Sequence, residues 1–172
     1  VSEKDINKIS HKELVVVGDH WLKKRGAGVT MREIGAYTYN NENPDVIGWV
    51  SSHSVLIECK VSRADFLSDK KKRFRANPDI GMGDFRIYLC PTGIINPNDL
   101  PENWGLLWYD GNKTKKICGI SKSYNITTWS RDVKKFTKCR RSEASMLYSG
   151  CRRMVIQGKF DGIYEKQDIV QS

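Results

Sequence analysis

No stretch of this sequence approaches the roughly 18 uninterrupted apolar residues of a membrane span, so no membrane partner is expected. The N-terminal Val1-Ser2-Glu3-Lys4-Asp5 is polar and has no signal-peptide core. Cysteines are few and badly spaced for metal: Cys59, Cys90, Cys118, Cys139 and Cys151 form no CxxC pair. His11, His20 and His53 add no ligand spacing, which argues against structural zinc. An odd cysteine count with two members inside apolar runs (Cys59 and Cys90) points to buried thiols in a reducing, cytoplasmic compartment. Acidic residues are also in deficit: 20 Asp and Glu face 29 Lys and Arg, a formal charge of +9. There are no internal repeats and no obvious linker.

What is present is a globular composition. The 172 residues are 39% hydrophobic and 10% aromatic, too apolar for a disordered chain, and the length fits one domain spanning 1–172. The positive excess attracts polyanions, of which nucleic acid is the commonest. An acidic protein partner would satisfy the same charge.

Hydrophobic periodicity predicts a helix over 11–25, with Leu14, Val15, Val17, Trp21 and Leu22 on one face. Residues 31–39 are β-rich, and 40–44 (NNENP) is turn chemistry. Residues 45–50 and 54–61 are two further strands, joined most simply as an antiparallel meander. Ser62 is placed to cap a helix running to about residue 75, with Asp65 in its first turn. Strands are expected at 85–90, 105–109 and 115–120, and basic helices at 131–138 and 142–157. The order predicts an α/β fold with a mixed central sheet.

The chemistry concentrates in Asn43-Pro44-Asp45 and Ile57-Glu58-Cys59-Lys60. Strand alternation puts Glu58 and Lys60 on one face and Ile57, Cys59 and Val61 on the other. The strand VLIECKV is apolar around these charges, and central strands rarely carry charge without a reason. A hairpin brings Asp45 beside Glu58. Two close carboxylates suit a hard cation such as Mg²⁺, and a neighbouring lysine can orient water or neutralise a phosphate.

Pro44-Asp45 followed by Glu58-Cys59-Lys60 resembles the PD-(D/E)xK signature of the restriction-endonuclease-like nucleases. The longer block Glu58-Cys59-Lys60-Val61-Ser62-Arg63-Ala64-Asp65-Phe66, then Asp69-Lys70, is similar to the bacterial MmcB-like branch, linked to DNA repair. Phe85-Arg86-Ile87-Tyr88 and Leu100-Pro101-Glu102-Asn103-Trp104-Gly105-Leu106 extend the likeness, which covers residues 11–111. The resemblance implies a restriction-endonuclease-like mixed sheet flanked by helices. It also implies a Mg-dependent deoxyribonuclease, with Mn as substitute, endonucleolytic rather than exonucleolytic. Roles in repair, recombination or phage and mobile-element DNA processing follow from it. By the same resemblance Asp45, Glu58 and the Cys59 carbonyl hold the metal and Lys60 is the catalytic lysine. Glu13 is the preferred additional acid, as in the Holliday-junction resolvase branch, with Glu33 the alternative. Many members dimerise to cut both strands, which makes a homodimer an implied partner, although nothing in the sequence marks an interface. Residues 112–172, a basic C-terminal extension on or beside the core, lie outside the resemblance.

Two basic clusters could meet DNA phosphates: Lys70, Lys71, Lys72, Arg73 and Arg75, then Lys134, Lys135, Lys138, Arg140 and Arg141, with Arg152 and Arg153 beyond. Trp129, Phe136 and Tyr148 interleave with the second cluster as candidate stacking surfaces. The bland alternative is a solvated helix face, with Asp69 pairing Arg73 at i, i+4. No motif for sequence-specific readout is present. A non-catalytic nucleic-acid-binding module on the same fold is the second reading.

Overall fold

In the computed structural model, which describes residues 9–165, Ser10 caps the first helix by accepting the Glu13 N–H at 3.2 Å. Helix α1 (His11–Lys23) buries Leu14, Val15, Trp21 and Leu22 at the three- and four-residue spacing of one helical face. That face lies on a six-stranded sheet.

The strands are β1 (Val29–Arg32), β2 (Val46–Trp49), β3 (Ser54–Cys59), β4 (Phe85–Pro91), β5 (Gly105–Tyr109) and β6 (Thr114–Cys118), and their spatial order follows the chain. The first three form the expected antiparallel meander. β3, β4 and β5 run parallel, and β6 returns antiparallel. The fold is therefore α/β with a mixed sheet flanked by helices. Every residue of β3 and β4 is buried, as expected of strands covered on both faces. Val55, Ile57 and Cys59 join the α1-side core, while Leu56 packs with Phe66, Met82, Tyr88 and Trp104 on the opposite side. Gly48 lets α1 sit close, since a Cβ there would stand 3.0 Å from Leu22 Cδ1 and 3.2 Å from Ala27 Cβ.

Three segments differ from the sequence expectation. The strand over 31–39 ends at Arg32, because Glu33 takes a positive φ of 46° and turns the chain away from the sheet. Residues 33–45 form a closed excursion, with the Glu33 N–H donating to the Asp45 carbonyl at 3.0 Å. The helix after Ser62 is broken into α2 (Arg63–Asp69) and α3 (Arg73–Ala76). On an unbroken helix Asp69 and Arg75, six positions apart, would point about 120° apart. The extended Lys72 between them lets both side chains reach one buried point.

Residues 131–138 are not a helix. Ile126–Arg131 is a 3₁₀ turn, and the following stretch lies against the turn before β4. There Phe136 N–H donates to the Asp84 carbonyl and Cys139 N–H to the Gly81 carbonyl. Trp129 is buried between Trp21 and Phe85, with ring centroids at 5.8 and 5.4 Å. Helix α4 (Arg140–Ile156) follows, and its Met146 enters the second core. The basic C-terminal third thus supplies core residues to the same sheet. Among the described residues, no helix is long and apolar enough to cross a membrane.

Candidate active site

The β2–β3 register pairs Val46 with Ile57, so Asp45, one residue before β2, falls beside the end of β3. Its Oδ2 accepts the Cys59 N–H at 2.7 Å. Glu58 and Lys60 share a face as alternation requires, with Lys60 Nζ 3.2 Å from Glu58 Oε2. Cys59 turns the other way, and burial, then the charges of Asp45 and Glu58, push its thiol well above the ordinary range. Only its backbone carbonyl is a candidate ligand.

Behind this trio lies a buried ionic cluster. Arg75 reaches three carboxylates from three parts of the chain. It ion-pairs Glu42 Oε1, stands 2.8 Å from Glu58 Oε1 through Nη2, and donates Nε–H to Asp69 Oδ2 at 2.9 Å. The Nη2 contact is an ion pair rather than a hydrogen bond, because no N–H is aimed along it. The guanidinium also lies 4.7 Å from the Trp104 ring and 4.8 Å from Phe74. Asp69 further pairs with Lys72 at 2.7 Å and Lys60 at 3.4 Å, and accepts the Tyr88 O–H at 2.8 Å. Arg73, the i+4 partner expected from sequence, is not among its ion pairs, which are with Lys60, Lys72 and Arg75. Glu42 accepts the Met82 N–H at 2.6 Å and an Asn40 amide N–H at 3.1 Å.

Four carboxylates (Asp45, Glu58, Asp69 and Glu42) meet three cations (Lys60, Arg75 and Lys72). Burial and this surplus of acids act together on Asp45. Burial, then the charge of Glu58, raises its carboxyl to about 6, against the opposing pull of the Cys59 N–H, Lys60 and His11. Burial also raises Glu42 despite Arg75. For Lys60, burial alone would lower the ammonium, but Glu58, Asp69 and Asp45 outweigh it and hold it above its ordinary value.

Such a donor set fits a hard divalent cation. Asp45 is held by the Cys59 N–H with His11 at 3.4 Å, and a carboxylate has about four lone-pair positions, so Asp45 and Glu58 both leave room for a ligand bond. Among the described residues, no group of three or more His, Cys, Asp or Glu side chains is gathered to hold a metal. An ion here would rest on Asp45, Glu58, a backbone carbonyl and water, a ligand set typical of Mg²⁺.

Of the two additional acids expected from sequence, Glu13 lies near Tyr109, whose hydroxyl burial and then Glu13 raise above its ordinary value. Glu33 is connected to the site through His11, whose Nε2 is 3.4 Å from both Glu33 Oε1 and Asp45 Oδ1. His11, Glu42, Asp69, Arg75 and Tyr88 are the site's unexpected members.

In the first basic cluster Lys71 and Arg73 are exposed, Lys70 donates to the Asp99 carbonyl at 2.8 Å, and Lys72 pairs with Asp69. Arg75 is wholly interior and is removed from the phosphate-contact set. In the second cluster Lys134, Lys135, Arg140 and Arg141 are exposed. Lys138 points inward to Asp84, Glu143 Oε2 at 3.0 Å and Ser54 Oγ at 2.7 Å. Trp129 is core, and Phe136 packs on Trp104 and Arg86, so neither is a stacking surface.

No protein-family model and no curated protein matches the chain. A solved structure does: the SPO1766 protein of unknown function from Silicibacter pomeroyi, with TM-score 0.58 and 16% identity, covering 94% of this chain and 99% of that one. At this identity the likeness speaks for the fold alone.

Proposed function

We propose that the protein is a divalent-metal-dependent nuclease acting on DNA, with Asp45, Glu58 and the Cys59 carbonyl as ligands and Lys60 as the catalytic cation. The observation that carries this reading is the convergence of Asp45, Glu58 and Lys60 at the end of β3, with the Asp45 carboxyl raised by burial and by Glu58. A bound divalent ion supplies water activation and charge stabilisation at a phosphate. Lys60 holds a positive charge where negative charge develops on the scissile group. Arg75 fixes Glu58, so the carboxylate need not reorganise. The net charge of +9 favours a polyanionic substrate.

Linear, circular, branched and single-stranded DNAs incubated with Mg²⁺, Mn²⁺ or EDTA test this reading. Cleavage in either metal and none in EDTA is expected. One observation favours the second reading, a binding module without catalysis: both Glu58 oxygens lie against cations and Lys60 is nearly buried. Metal-independent DNA binding with no cleavage of any substrate would establish that alternative.

A further inference from the structure

The excursion 33–45 packs against α4 beside the sheet. Asp45 closes its neck, and from inside it Glu42 pairs with Arg75 while Ile34 and Ala36 pack on the second core. Thr38 is buried and donates its hydroxyl to the Glu42 carbonyl at 2.8 Å. Asn40 N–H donates to Ser142 Oγ at 3.3 Å, and Arg153 Nη2 donates to the Gly35 carbonyl at 2.7 Å. The last two contacts fasten the loop to α4, and the tyrosine rings stay outside. Tyr37 is fully exposed, Tyr39 is 67% exposed and, from α4, Tyr148 is 66% exposed. Tyr37, Tyr148, Ser145, Ser149, Arg152 and Arg153 line one groove of about 410 Å³. Arg141 lies over the Tyr39 ring at 4.7 Å.

We propose that this groove is a binding platform for single-stranded DNA. Isolated exposed aromatics need no explanation, but two tyrosines lining one groove with two arginines do, the more so with Tyr39 and Arg141 paired from the same loop and helix. Among the described residues no carboxylate lines the groove, so its two arginines favour an anion. Planar rings and guanidinium groups together suit a ligand that alternates flat apolar faces with negative charge. Unpaired DNA has that alternation, whereas a duplex hides its base faces within the stack. The loop that carries Tyr37 closes at Asp45 through the Glu33 N–H to Asp45 carbonyl bond, so platform and candidate active site share one segment of chain. The proposal names the substrate class of that site and to this extent rests on the nuclease reading.

Binding of fluorescent oligothymidylate and of a duplex of equal length, measured by anisotropy in EDTA, separates the two ideas. Preferential binding of the single strand is expected. Stacking on aromatic rings predicts that Tyr37→Ala and Tyr148→Ala each weaken it at least about fivefold. The Phe variants should stay within about twofold, and duplex binding should not change. Thermal melts of every variant guard against a loss of fold. A wild-type protein that fails to bind oligothymidylate, Ala variants that bind like wild type, or equal losses on duplex and single strand overturn the platform. If the platform passes and no DNA is cleaved in any metal, only the nuclease reading falls.

Discussion

Arg75 Nη2 stands 2.8 Å from Glu58 Oε1, and the same guanidinium touches Glu42 and Asp69. A carboxylate that would bind metal is therefore held from behind by a buried cation. Breaking a buried pair costs far more than the pair contributes, because the remaining charge is left unsolvated.

The first prediction is that Arg75→Met destabilises the fold by about 3–5 kcal/mol in urea unfolding, since three carboxylates lose their common partner. Arg75→Lys keeps the charge but loses the fork, and should cost less. For Asp69, burial would raise the carboxyl, but Arg75 foremost, with Lys60 and Lys72, overrides it and holds the group well below its ordinary value. A depressed carboxyl stabilises above its unfolded pKa and loses that contribution as pH falls. The Arg75→Met deficit should therefore shrink on acidification below about pH 4.

Asp45 supplies the opposite sign. Its folded pKa, about 6, lies above the ordinary 3.8. Between those values the native state binds more protons than the unfolded one, so stability falls as pH rises. Without metal, Asp45→Asn should be more stable than wild type above pH 6, by no more than about 3 kcal/mol. The advantage should vanish below about pH 4, the unfolded carboxyl value. Mg²⁺ should raise the wild-type melting temperature more at pH 7.5 than at pH 5, and leave Asp45→Asn almost unmoved. An Asn variant less stable than wild type at pH 7.5 in EDTA would contradict the surplus-charge account.

Asp45, Glu58 and Lys60 are legible in sequence because alternation is a local rule and a short link fixes the hairpin register. Arg75 is not, because it sits in Lys70-Lys71-Lys72-Arg73-Phe74-Arg75, which reads as a solvated basic helix. Only the break at Lys72 turns it inward, and that break answers tertiary contacts. The β-rich composition of 31–39 misleads for a related reason: Ile34, Tyr37 and Tyr39 favour a strand, but beyond Arg32 the pairing with β2 ends. Lys138 carries no local sign of the two acids, far away in sequence or one turn on, that it neutralises.

Lys138 yields the third prediction. It bridges Asp84 and Glu143, with Ser54 between them, beneath the surface rather than on it. Lys138→Met should destabilise the fold by about 2 kcal/mol or more, a discount on the fully buried case for its partial exposure. It should leave the salt dependence of DNA binding unchanged. Replacing exposed Lys134 and Lys135 by Ala should do the reverse, flattening the slope by up to about two phosphate equivalents with little effect on stability. A flattened slope for Lys138→Met alone, with stability intact, would mean the side chain leaves its acids to meet DNA.

The last prediction separates the two charges on β3. Glu58→Ala removes a candidate ligand and a negative charge facing the phosphate. Metal affinity, read by Mn²⁺ titration, should drop, while DNA binding in EDTA should hold or improve. It also leaves Arg75 with Glu42 and Asp69, so its fold should survive better than that of Arg75→Met. Lys60→Ala keeps the carboxylates but deletes the cation beside them. DNA binding in EDTA should then fall, because Asp45 and Glu58 face the backbone with less neutralisation. Both variants should lose at least about a hundredfold in metal-dependent cleavage, the lower range for removing one electrostatic or acid–base group. Opposite changes in metal-free binding with a shared loss of cleavage are what two distinct roles at one site require. Parallel losses in both readouts would instead mark a general collapse of the ionic cluster. Cleavage by Lys60→Ala at the wild-type rate would remove that lysine from the mechanism.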